Sequence, residues 1–156
     1  MNDPLTLGAL APDFELPADD GRPIRLSTLR GRKIVLYFYP RDDTSGCTRE
    51  AIDFNGLRRD FANIGADIFG ISADSVASHQ KFRKKHGLDF PLLADEQHKA
   101  LALYGVWVEK SMYGRKYMGI ERTTVLIDAA GLIRHVWPKV KVAGHAAEVL
   151  AAATRL

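Results

Sequence analysis

Cysteine is almost absent: the 156 residues contain one, Cys47. An internal disulfide is therefore excluded, and no oxidising compartment is implied. Long apolar runs are absent too. None approaches the roughly 20 residues of a membrane span, so no membrane association is expected. The first residues, Met1-Asn2-Asp3-Pro4, lack the basic and apolar regions of a secretory leader. Together these absences predict a soluble, cytoplasmic protein. Charge of one sign is in short supply, with 22 Lys+Arg against 19 Asp+Glu and a net charge of +3. The densest basic stretch, Lys81 to His86, reads as a solvated helix face. No aromatic stacking platform accompanies it, so no nucleic acid is expected. The five histidines, His79, His86, His98, His135 and His145, show no metal-ligand spacing, and Cys47 is the only soft ligand. No metal is expected, and His79 and His86 are placed on a helix surface. Phosphate-binding glycine loops, dinucleotide fingerprints, Ser/His/Asp motifs, repeats and low-complexity tracts are missing, so no cofactor is expected.

What remains is an ordinary globular composition, 46% hydrophobic and 26% charged. The length suits one domain over residues 1–156, with a core that needs no staple. Residues 1–32 are rich in Gly, Pro and Asp and read as loops with short strands. Lys33 to Tyr39 is a short β-branched and aromatic run stopped by Pro40, a buried central strand. From about Thr48 to Ile64, apolar residues at Ala51, Phe54, Leu57, Phe61 and Ile64 mark one helix face. Ala66 to Ile71 reads as a second buried strand. Ser75 to His86 reads as a helix capped by Asp74 or Ser75 and stopped by Gly87. Phe90 to Ala94 is a short strand, and Asp95 to Tyr104 a helix. Val106 to Glu121 reads as irregular, packing under a long loop; lining a site entrance and binding a partner are its alternatives. Arg122 to Ile127 and Leu132 to Trp137 form a hairpin around Asp128-Ala129-Ala130-Gly131. Gly144 to Arg155 is a final helix, with Val149, Leu150, Ala153 and Leu156 toward the core. The order predicts an α/β fold: a mixed central sheet, two strands parallel through a right-handed crossover, helices on both faces. A thioredoxin-like arrangement satisfies it.

Cys47 lies between the first buried strand and the first helical turn. A lone cysteine is by default a small buried hydrophobe. This one sits off the helix's apolar interior, in the first turn, where backbone N–H groups favour an anion. An ordinary thiol is only a few per cent ionised at neutral pH. Making it mostly thiolate takes about 3–4 kcal/mol. A helix N-terminus supplies about 0.3–1 kcal/mol, or about 2 when partly buried. A cation or several hydrogen bonds must add the rest. Thr44 is a nearby hydroxyl. Arg49 is close in sequence but points to solvent on a helix, so Arg122, opening a distant strand, is the better cation.

At this point the chain resembles the peroxiredoxins, in particular the Q-type branch that includes the bacterioferritin-comigratory proteins. Their active-site pattern is Pro, three residues, Thr or Ser, two residues, Cys; Pro40, Thr44 and Cys47 match it. Tyr37 to Thr44, Gly46 to Ala51, Ser78 to Phe82, Phe90 to Asp95 and Tyr113 to Thr124 have the same likeness, which spans nearly the whole chain. The resemblance implies a thioredoxin-like fold and a thiol-dependent peroxidase with Cys47 as nucleophile. Its thiolate would attack the terminal oxygen of a hydroperoxide and become a sulfenic acid, releasing water or an alcohol. Thr44 and Arg122 would hold the peroxide oxygens, with backbone N–H groups near Gly46 and Cys47 assisting. Pro40 would wall the pocket. Glu50 is either the carboxylate that orients Arg122 or a helix-surface charge. The family also implies a monomer.

Two departures stand out. Ser45 occupies a position that is usually proline in the Q-type. More consequentially, the places of a resolving cysteine are Ile52 and about Arg83. The implied mechanism is one-cysteine, with glutathione, glutaredoxin or thioredoxin reducing the sulfenic acid. The competing reading is a thioredoxin-fold redox sensor or interaction protein, in which Cys47 oxidises without turnover.

Overall fold

The computed structural model describes residues 5–156; the leader expectation at residues 1–4 lies outside the described residues. Two short strands, β1 (Glu15–Pro17) and β2 (Pro23–Arg25), pair antiparallel ahead of a 3-10 turn at Leu26–Leu29. There follow β3 (Lys33–Phe38), α1 (Ser45–Gly56), α2 (Arg58–Asn63), β4 (Ala66–Ser72) and α3 (Val76–His86). The chain continues through β5 (Leu92–Ala94), α4 (Lys99–Leu103), β6 (Trp107–Met112) and β7 (Arg115–Ile120). It closes with β8 (Thr123–Ile127), β9 (Ile133–Trp137) and α5 (His145–Thr154). A five-stranded sheet runs in the order β5-β4-β3-β8-β9. Strand β3 is parallel to β4, and β4 to β5; β8 lies antiparallel to β3, and β9 to β8. This is the expected mixed, thioredoxin-like sheet. No helix of the described residues is long and apolar enough to cross a membrane.

Strand β3 is apolar from Ile34 to Phe38 because both its faces are covered. Ile34, Leu36 and Phe38 join Phe14, Leu101 and Tyr104 on one side. Val35, Tyr37 and Tyr39 join Phe54, Phe61, Phe82 and Val149 on the other. Each such buried side chain contributes roughly 1.5–3 kcal/mol. The helices divide accordingly: α1, α2, α3 and α5 cover the second face, while α4 and the N-terminal strands cover the first.

Several local expectations hold. The Ser75 side chain caps α3 by accepting the Ser78 N–H, and Gly87 ends it in the left-handed region. Asp128 Oδ1 closes the β8–β9 turn by accepting the N–H groups of Ala130 and Leu132, each at 3.0 Å.

Others need correction. The helix after Cys47 starts at Ser45 and divides at Leu57, whose ψ of 5° leaves the helical range just after Gly56, a residue with little helix propensity. Phe61 nevertheless stays buried. Helix α4 is shorter than Asp95 to Tyr104, because the Asp95 carboxylate turns inward and accepts the N–H groups of Lys99 and Leu101. Residues 107–120 are a β-hairpin, not an irregular loop. Its two-residue turn, Tyr113-Gly114, has φ of 53° and 76°, which matches the twist of the strands it joins. On α5 the buried residues are His145, Ala146, Val149, Ala152 and Ala153, while Leu150 is half-buried and Leu156, beyond the helix end, is exposed. His79 is fully buried at 0% exposure, not on a helix surface.

Gly70 on β4 lies directly beside Tyr37 in the sheet register. A Cβ there would stand 2.8 Å from the Tyr37 ring and hydroxyl and 2.9 Å from Leu92. Gly70→Ala is therefore expected to cost about 1–3 kcal/mol through overpacking. Urea unfolding should show a lower midpoint with an unchanged slope; an unchanged midpoint would contradict the packing described.

Candidate active site

Strand β3 delivers the chain to the site. The N–H of Tyr39 still bonds the Ile71 carbonyl at 3.1 Å, and Pro40, with no N–H, stops the ladder. Residues 41–44 turn the chain, with Asp43 at φ 59°. Thr44 is the N-cap of α1, its backbone extended. Ser45, at the position that is usually proline in the Q-type, is the first helical residue. Cys47 falls in the first turn, where N–H groups have no partner within the helix. Its surroundings are apolar, in the cluster with Tyr37, Tyr39, Ala51 and Phe54, and it is 1% exposed.

Arg122 lies between β7 and β8, and the sheet brings it to this sulfur. Phe38, the last residue of β3, pairs with Thr123, the first of β8. Arg122 therefore stands just beyond the carboxyl end of β3, where Cys47 begins its helix. Its Nη2 donates to Cys47 Sγ at 3.3 Å, and its Nη1 to Glu50 Oε1 at 2.7 Å. A Cβ on Gly46 would come within 3.2 Å of Nη2, so glycine leaves room for the guanidinium. The expectation for Arg49 also holds: its side chain is exposed, 3.9 Å from Asp53.

Glu50 is 1% exposed, which decides between its two readings: it is Arg122's partner and not a surface charge. Its Oε2 is buried without a hydrogen-bond partner. Burial pushes the Glu50 carboxyl up, Arg122 pulls it back, and the balance lies at about 7. Burial opposes the Arg122 charge, but Glu50 and Cys47 outweigh that and hold its pKa above the ordinary value. Burial likewise keeps the Tyr37 and Tyr39 hydroxyls neutral, with nearby carboxylates adding to it.

Thr44 Oγ1 does not meet the sulfur; it donates to the Arg41 carbonyl at 2.9 Å from an exposed position. Pro40 stands half-buried at the strand end. Sequence reasoning missed the polar group behind the turn, Asp42, Asp74 and His79. Among the described residues these three place possible metal-ligand atoms within 4.8 Å of one another. Those atoms already engage protein donors: Tyr39 and Ser78 on Asp42, and Ser72 with the Asp42 N–H on Asp74. The only signal for it was the Ser78-His79 pair inside a basic helix, which resembles many solvated faces.

Residues 7–136 match the AhpC/TSA family. Peroxiredoxin Bcp of Bacillus subtilis is 49% identical over 94% of this chain and 93% of its own. Peroxiredoxin Bcp of Escherichia coli is 40% identical over 91% of each chain. A solved structure of Xanthomonas campestris peroxiredoxin Q aligns with a TM-score of 0.88 and 44% identity, covering 91% of this chain and 90% of that one. Peroxidoxin BcpB of Mycobacterium tuberculosis gives a TM-score of 0.84 at 36% identity over 97% of both. With the family pattern running through the very turn that carries Cys47, the chain belongs to the AhpC/TSA family and, within it, to the Bcp, or Q-type, peroxiredoxins.

Proposed function

We propose that this peroxiredoxin reduces hydroperoxides at Cys47 by a one-cysteine cycle, with Arg122, Thr44 and the first-turn N–H groups as its electrostatic frame. The observation that carries this reading is the guanidinium of Arg122 divided between Cys47 and Glu50. A cation so held is preorganised for charge that moves from sulfur to the leaving oxygen. A sensor needs only a reactive thiolate, whereas a guanidinium fixed by Glu50 beside the sulfur supports turnover.

The thiolate attacks the terminal oxygen of ROOH; the S–O bond forms as the O–O bond breaks. The products are Cys47 sulfenic acid and RO⁻, which takes up the proton released when the thiol ionised and leaves as ROH. Thr44 Oγ1, exposed at the mouth, turns from the Arg41 carbonyl to the peroxide. Pro40 shields the sulfur, and Gly46 leaves space for Arg122. The work on the Xanthomonas campestris relative concerns alkyl peroxide reduction, which supports organic hydroperoxides beside hydrogen peroxide as substrates.

Resolution needs an outside thiol. Ile52 is 47% exposed and Arg83 Nη1 is engaged by Asp19 at 2.9 Å, so both resolving positions carry other chemistry. A thiol of the thioredoxin, glutaredoxin or glutathione class forms a mixed disulfide and expels water; a second thiol restores Cys47. A lone thiol suits a reducing compartment and supports a cytoplasmic setting. The Q-type likeness supports a monomer. Both apolar clusters close on the same sheet, which supports one domain. Within the basic stretch, Lys85 and His86 engage Asp43 and Arg83 engages Asp19, which supports a role in packing rather than nucleic-acid binding.

Mixed with one equivalent of hydrogen peroxide in a stopped-flow instrument, the reduced protein should oxidise within milliseconds. Intact mass should then show one added oxygen at Cys47, removed by an added thiol. Oxidation no faster than free cysteine would sink the peroxidase reading. Arg122→Met should slow the step by about 10²-fold or more, the scale of losing one preorganised donor. A merely modest loss would count against the mechanism.

Glu50 gives a pH signature. Its folded pKa of about 7 exceeds the ordinary 4.5, so the native state binds the extra proton. Stability from that proton is present below the unfolded value and disappears as pH rises through the folded one. Relative to Glu50→Gln, the wild type should lose up to about 3 kcal/mol between roughly pH 4.5 and 7. Denaturation midpoints measured across that range would test it, and parallel curves would refute it.

A further inference from the structure

The turn between β3 and α1 is fastened to α3 by two adjacent carboxylates that the chemistry above does not use. Asp42 Oδ1 accepts the Tyr39 hydroxyl at 2.6 Å. Asp42 Oδ2 accepts Ser78 Oγ at 2.8 Å and faces His79 Nδ1 at 2.7 Å. The Asp42 N–H donates to Asp74 Oδ2 at 2.8 Å. One residue on, Asp43 meets Lys85 Nζ at 2.8 Å and His86 Nε2 at 3.2 Å, but on the exposed side. Exposed pairs of that kind hold little. The Asp42–His79 pair is buried, with side chains 4% and 0% exposed.

The protons in that pair can be counted. His79 Nε2 lies 3.0 Å from the Leu93 carbonyl, which only accepts, so Nε2 carries hydrogen. Nδ1 and Oδ2 at 2.7 Å need a second proton between them. Two hydroxyl donors on Asp42 favour its ionised form, and we assign that proton to the ring. The contact is a charge-assisted hydrogen bond in a dry setting, among the stronger kinds a fold can make. With Nδ1 occupied in this way, the cluster is a hydrogen-bonded clamp and not a metal site.

We propose that His79 is a positioning residue for peroxide reduction: through Asp42 it holds the turn that sets Thr44 and the first turn of α1 against Arg122. The proposal rests on the peroxidase reading of Cys47. Asp42 stands two residues before Thr44, and the Thr44 hydroxyl bonds the carbonyl of Arg41, Asp42's neighbour. A shift at Asp42 therefore passes directly to the hydroxyl and to the N–H groups that face the substrate. Reaction rates respond steeply to such displacements.

Two substitutions separate the legs of the clamp. His79→Gln keeps a donor toward the Leu93 carbonyl and loses the one toward Asp42. His79→Asn keeps a donor toward Asp42 and loses the other. Peroxide oxidation of Cys47, followed by stopped flow beside urea midpoints, should be slowed about tenfold or more in His79→Gln and remain within about threefold of wild type in His79→Asn. Tyr39→Phe, which keeps the core ring and removes one bond to Asp42, should fall between them. In the wild type, nitrogen-15 NMR of the His79 ring should show both nitrogens protonated. An unprotonated Nδ1 would overturn the proposal, as would variants that lose stability alike yet oxidise at the wild-type rate. A wild type no faster than free cysteine would overturn the peroxidase reading and this proposal with it; a fast wild type with equally fast variants overturns the proposal alone.

Discussion

The guanidinium of Arg122 is the group on which this site depends. It donates one nitrogen to Cys47 and another to Glu50, and all three side chains are largely out of water. A buried carboxylate beside an apolar helix face is costly when alone, and so is a cation drawn largely out of water. Together they tolerate burial, and the remaining guanidinium donor is left for sulfur. Glu50 is held only on one oxygen, which is why burial keeps its carboxyl near neutrality despite the ion pair. Gly46 leaves room for this arrangement: a Cβ there would stand 3.2 Å from Arg122 Nη2.

The sheet topology makes the meeting possible. Inserting β8 antiparallel beside β3 puts the start of one strand next to the end of the other. The helix that follows β3 then opens over the residue that precedes β8. Behind the connecting turn, α3 supplies the anchors Ser78 and His79, and the exposed contacts of Lys85 and His86 with Asp43 add little. The turn is thus held by Asp74 after β4 and by α3, while Arg122 holds the first turns of α1, and Thr44 and Cys47 inherit that placement.

The same packing bears on turnover. A sulfur with 1% exposure is shielded from adventitious oxidants, and its sulfenic acid must wait for a thiol that can reach it. Where a resolving cysteine would sit on α3, Arg83 instead ties Asp19 and the Leu88 carbonyl to the helix. That position is part of the scaffold, and the proposed cycle takes its reducing thiol from another molecule.

Much of this was legible from residue order. Pro40, Thr44 and Cys47 identify the turn; Ser75 and Gly87 bound α3; Asp128 and Gly131 close the β8–β9 hairpin. Each depends on partners within about four residues, as caps and turns do. The β6–β7 hairpin was not legible, because its strands mix charged and exposed aromatic residues and its turn is Tyr-Gly rather than Asn-Gly. Nor was the burial of His79, since a histidine within a basic helix carries no mark of the carboxylate 37 positions earlier that holds it. The sequence by itself determined the reactive thiol at a helix start, the apolar strand that leads to it and the loss of internal resolution. Only the tertiary structure decided that Glu50 faces Arg122, that Arg122 reaches Cys47 and that His79 grips Asp42. Those pairs are 72, 75 and 37 residues apart, and strand register and helix docking alone bring such distant groups within a hydrogen bond.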